Sequence, residues 1–111
     1  MAFAKKTNSN ATNDLPRVTV EMLHNLHAVV RNVRQVSDNC LTFTLRLYGI
    51  DLYGMRLVES AKGTFISASA QKGKDGKFYD NFRVYFADSA KSAVEAAVRK
   101  AYDENAVEVE V

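Results

Sequence analysis

The chain has 111 residues, 47% of them hydrophobic and 25% charged, which is the composition of an ordinary globular protein and excludes a wholly disordered one. This length holds one domain with a modest core, and a second subunit would help to cover it. No apolar run approaches the roughly 18 to 20 residues of a membrane span. The opening MAFAKKTNSN lacks the apolar stretch of a secretory leader, and the single Cys40 has no partner for an internal disulfide; a cytoplasmic protein without a cofactor is expected. The net charge of +2 conceals an asymmetry. Asp103, Glu104, Glu108 and Glu110 give residues 103–111 a charge of −4, leaving 15 bases against 9 acids, or +6, in residues 1–102.

In chain order, residues 1–16 are rich in Lys, Thr, Asn and Ser, bury almost nothing, and read as a flexible arm before a single domain at 17–111. Arg17 to Leu26 is ambiguous: Val18 and Val20 alternate as in a strand, while Thr19, Met22, Leu23 and Leu26 have helical spacing. Ala28 to Val36 is β-branched, with Arg31 and Arg34 among valines, and Ser37-Asp38-Asn39 signals a turn. A long β-prone run, Cys40 to Glu59, sets Phe43, Leu45 and Leu47 on one side and Thr42, Thr44, Arg46 and Tyr48 on the other. Gly49 and Gly54 let this run bulge, bend or divide into two strands.

Thr64 to Gln71 predicts the next strand, with Ile66, Ala68 and Ala70 on one face and Phe65, Ser67, Ser69 and Gln71 on the other. After a turn at Lys72 to Lys77, Phe78 to Phe86 predicts a strand whose apolar face is Phe82, Val84 and Phe86 and whose opposite face is Tyr79, Asn81, Arg83 and Tyr85. Asp88 or Ser89 is placed to cap a helix, with Ser92 and Glu95 as a second capping pattern. Along that helix Ala90, Val94, Ala97, Val98 and Ala101 form one stripe. Val107, Val109 and Val111 alternate with Glu108 and Glu110, the period of a half-buried strand, the alternative being a free tail. The whole predicts an α+β domain: an antiparallel sheet of four to five strands followed by a C-terminal helix on one face.

The segment from Leu57 to Phe86 carries the chemistry. Lys72, Lys74 and Lys77 suit phosphate neutralisation, Tyr79 and Tyr85 suit stacking on bases, and Arg83 suits either. Arg46, Tyr48 and Phe65 extend the same basic and aromatic face. Single-stranded DNA is the favoured partner, with RNA and duplex DNA as alternatives; duplex readout ranks lower because no helix carries clustered base-reading side chains for a major groove. The bland reading stands beside it: Lys-Asp-Gly-Lys is also what an exposed turn needs, and a strand arginine commonly lays its stem over apolar surface. A homo-oligomeric interaction or assembly module, joined through an open sheet face, is the alternative from another class. His24, His27 and Cys40 fall short of the four ligands of a structural zinc site, the GKDGK segment lacks P-loop spacing, and no nucleophile comes with a base and orienting group, so an enzyme is not expected.

The run from Gly54 to Lys100 resembles the SpoVG family (stage V sporulation protein G, or septation protein). The resemblance rests on Met55-Arg56-Leu57-Val58 followed by Glu59, then Lys62-Gly63-Thr64-Phe65-Ile66-Ser67, the basic turn with Asp75-Gly76, the aromatic Phe78 with Asp80, and a terminal helix. Asn32-Val33-Arg34-Gln35-Val36 and Leu41 to Leu47 extend it weakly, to residues 28–100. Ser69-Ala70 and Arg83-Val84 stand where many members have Pro-Ser and His-Pro, which marks a divergent bacterial or phage relative. The resemblance implies a small homodimeric sheet-and-helix protein that binds nucleic acid through basic residues, with Gln71 to Lys77 and Arg83 as contacts by position.

Overall fold

The structure, a computed structural model, describes residues 16–111; the expected N-terminal arm lies outside these residues except for Pro16. Both patterns read at Arg17 to Leu26 are present, in succession. Val18 is extended and bridges in parallel to Phe86. Helix α1 (Val20–Asn25) follows, with the Thr19 hydroxyl accepting the Met22 N–H at 3.2 Å and Leu23 buried.

Strands β1 (Val29–Ser37), β2 (Cys40–Leu47), β3 (Ile50–Ser60) and β4 (Gly63–Ser67) form an antiparallel meander. The β2–β3 hairpin closes on Tyr48 and Gly49 at φ 47° and 88°, the positive-φ pair that matches the twist of the flanking strands. Tyr48 therefore occupies a turn, which corrects its expected place on the strand face beside Arg46.

Besides a register shift at Gln35–Ser37 next to the β1–β2 turn, two bulges decide which side chains face which way. In β1 the register steps from Arg31↔Thr44 to Arg34↔Thr42 across Asn32, at φ 54°. In β3 it steps from Met55↔Phe43 to Leu52↔Leu45 across Gly54, at φ 72°. Each extra residue reverses the alternation beyond it. Val33 thereby packs against the core and Arg34 joins Arg31 on the opposite face, while Met55 and Leu57 stay buried and Arg56 points away.

The core lies between the sheet and α2 (Asp88–Glu104). Val30, Phe43, Leu45, Met55 and Leu57 meet Leu23, Ala90, Val94, Ala97 and Val98, all of them buried. This is the expected stripe. Its start differs from the expected cap: Ala87 is the N-cap without a side-chain bond, and Asp88 lies within the first turn, where its charge favours the helix dipole. Asn105, left-handed at φ 52°, ends the helix. The chain returns as β7 (Glu108–Glu110), antiparallel to β1 with Val109 opposite Val30, giving the order β4-β3-β2-β1-β7. The terminal alternation is thus a strand, and the helix is not the last element.

Two expected strands are shortened. Thr64 to Gln71 divides into β4 and β5 (Ala70–Lys72), and Phe78 to Phe86 is a strand only as β6 (Phe78–Asp80); β5 and β6 pair as a separate two-stranded ribbon. The division falls where β3 bulges. Ser69 lies against Gly54, and the Ser69 carbonyl and hydroxyl accept the backbone N–H and side-chain amide of Asn81, each at 2.8 Å. Asn81 bends the chain out of the ribbon, yet Phe82, Val84 and Phe86 still turn onto the core as their alternation predicts.

Candidate nucleic-acid interface

The ribbon holds the three expected lysines. Lys72 stands opposite Phe78, so this cation and this aromatic share a face, while Tyr79 opposite Gln71 lies on the other. Lys74 and Lys77 flank the turn, and none of the three lysines is in an ion pair among the described residues. A Cβ on Gly73 would meet Tyr79 Cε2 at 2.7 Å, so only glycine lets the tyrosine ring lie across the turn. Asp75 organises that turn: its carboxylate accepts the Tyr79 hydroxyl and, at 3.0 Å, the Lys77 N–H. These bonds, the tyrosine's first, hold the Asp75 carboxyl below its ordinary range, and the same bond raises the Tyr79 phenol. Phe78, 69% exposed, was absent from the expected contacts although it stands beside Lys77 in sequence.

Arg83 and Tyr85 do not share a strand face with Tyr79, because the strand ends at Asp80. Arg83 Nε folds back to Asp80 Oδ2 at 2.6 Å. Tyr85 is exposed and lines a shallow cleft with Phe65, Arg17 and Lys91, so Phe65 and Tyr85 are brought together apart from the ribbon. Lys91, on the first turns of α2, is a cation of this cleft that alternation in strands gave no reason to select.

Arg46 is on the sheet face away from the helices, as expected, but it is not a free cation. Its guanidinium forks onto Asp51 at 2.6 and 2.9 Å, and the Tyr53 hydroxyl donates to Asp51 Oδ2 at 3.1 Å. The arginine bond is the chief cause holding the Asp51 carboxyl below its usual value. Arg31 Nε lies 3.2 Å from Glu108 Oε2, an ion pair without the hydrogen bonds that Arg46 makes. On this face Arg34 and Arg56 have no acidic partner among the described residues. At the β2–β3 tip, Tyr48, Ile50 and Tyr53 are all mostly exposed.

Among the described residues no three His, Cys, Asp or Glu side chains come together to hold a metal ion, and no described helix is long and apolar enough to cross a membrane. No family model, curated protein or solved structure matches the chain.

Proposed function

We propose that this chain binds single-stranded DNA with little sequence preference, in phage or bacterial DNA metabolism, as a homodimeric and divergent relative of the SpoVG family. The observation that carries the reading is the ribbon: Lys72, Lys74 and Lys77 are without acidic partners among the described residues, on a two-stranded ribbon that exposes Phe78 on the face of Lys72 and Tyr79 on the other. Lysines capture phosphates by releasing counterions, and sequence-tolerant affinity then comes from rings against base faces. The α+β architecture is compatible with the resemblance. Purified protein is to be titrated against labelled single-stranded DNA, single-stranded RNA and duplex DNA at two salt concentrations. The wild type should prefer the DNA single strand and weaken steeply with salt. Joint replacement of Lys72, Lys74 and Lys77 by alanine should flatten the salt dependence by about 2 in the log–log slope, at about 0.7 per lost contact. An unchanged affinity and slope would remove the ribbon from the mechanism.

A second reading, a self-associating assembly module, is favoured by the exposed Tyr48, Ile50 and Tyr53 at the β2–β3 tip. Association through such a surface is insensitive to salt, whereas strand binding is not.

A further inference from the structure

We infer that Arg34 and Arg56 form a phosphate-binding row on the open sheet face, and that a DNA single strand crosses the β-strands along it with its bases on the neighbouring apolar shelf. This inference rests on the proposed function and gives the bound strand a path beyond the ribbon.

The registers place the two arginines together. Arg34 pairs with Thr42, Thr42 with Arg56, and Arg56 with Ser67, so the four side chains make one row across β1, β2, β3 and β4 on the face opposite the core. At about 4.8 Å between strands, the arginines stand about 10 Å apart with only a threonine between them, within reach of phosphates along one extended strand. Ordinary alternation would have buried both. Arg34 is turned outward by the Asn32 bulge and Arg56 by the Gly54 bulge. Two bulges, in the strands on either side of β2, re-aim two cations to one row, and bulges often serve to re-aim a side chain at a site.

Charge selects the occupant. The cations elsewhere on this face are consumed, Arg46 by Asp51 and Arg31 by Glu108, whereas Arg34 and Arg56 are exposed and unpaired among the described residues. The next row along the strands is Cys40↔Val58↔Phe65, uncharged and about 7 Å away, which is two residues of strand rise. Phe65 remains 46% exposed at its end. A cationic line beside an apolar shelf fits a polymer with charge along one edge and flat apolar faces along the other. A single strand offers both; a duplex keeps its base faces stacked inside.

The test uses the full chain and a labelled oligothymidylate, with affinity measured by fluorescence anisotropy across a salt series. Arg34→Gln with Arg56→Gln should lower the log–log salt slope by about 1.4, at about 0.7 per phosphate in a single strand. Taking about 1 M salt as the point where counterion release no longer contributes, that is about a 25-fold loss at about 0.1 M. The lysine pair, Arg34→Lys with Arg56→Lys, should retain the slope, and Phe65→Ala should weaken binding about tenfold without changing it. Both arginine sites are exposed, so the thermal melt should match wild type and separates lost contact from lost fold. If the wild type binds no single strand at low salt, the functional reading itself falls. If it binds, and the double glutamine variant keeps affinity and slope, the sheet-face path is overturned while the ribbon reading stands. A preference for duplex DNA, or an oligouridylate bound more tightly than the DNA, also overturns the assigned occupant.

Discussion

Gly54→Ala tests the bulge that shapes this molecule. At φ 72° an alanine bears the left-handed penalty of about 1–2 kcal/mol that glycine escapes. Its new Cβ would also lie 3.1 Å from Ser69 Oγ and 3.3 Å from Ser69 Cβ, and Ser69 is fixed by two bonds from Asn81, so it yields only by disturbing the ribbon's base; overpacking of this kind adds about 1 kcal/mol. The expected loss is about 2–3 kcal/mol, or a melting temperature lower by about 8–12 °C for a domain of this size. Thermal unfolding followed by circular dichroism measures it. In a Ser69→Ala background, with Oγ removed, the cost should shrink by about 0.5–1 kcal/mol, the sign of direct coupling. A Gly54→Ala protein melting within about 1 °C of wild type would refute a strained bulge, since even the backbone penalty alone shifts the midpoint further. Equal costs in the two backgrounds would refute the close approach to Ser69.

Asp51 should contribute to acid sensitivity. Its folded carboxyl titrates below its ordinary 3.8, chiefly through the Arg46 bond, so the stabilisation is complete above that ordinary value and is lost as pH falls through the lower folded one. Urea unfolding at descending pH should therefore show Asp51→Asn losing less stability than wild type below about pH 4; parallel curves would exclude the role. Tyr79→Phe removes the donor to Asp75 and should loosen the ribbon's turn while leaving the global unfolding midpoint close to wild type. Faster hydrogen exchange at the Lys77 amide, with core amides unchanged, is the expected signature; unaltered exchange there would remove Tyr79 as the turn's anchor.

The helix stripe, the inward pair Phe43 and Leu45, and the terminal strand were all legible in the sequence, because each follows a single uninterrupted period. What escaped reading depends on contacts between segments distant in sequence. Nothing local to Asn32 or Gly54 reveals which neighbour will accept an extra residue, so Arg34, three positions beyond the outward Arg31, and Arg56, five beyond the outward Asp51, could not be assigned the same outward face. The break at Ser69 depends on Gly54 and Asn81, and it separated Tyr79 from Arg83 and Tyr85, which one continuous strand would have aligned. Arg46 was expected to be available; its Asp51 partner lies across a hairpin whose turn was read only as a possible break at Gly49. The ribbon lysines and the exposure of Tyr48, Phe65 and Tyr85 were legible because polar turns and outward aromatics need only local pattern.

The return of β7 to β1 also sets an order of events during folding. The hairpins joining β1 to β4 connect strands adjacent in the chain and close by local contacts, whereas Val30 must wait for Val109, the slower kind of pairing. Until residues 108–110 arrive, β1 is an uncovered edge bearing Val29 and Val30, open to the wrong strand. The acids Glu108 and Glu110 give the closing strand a charge that another neutral valine-rich edge lacks, and the Arg31–Glu108 pair marks the register in which the nascent sheet is finished.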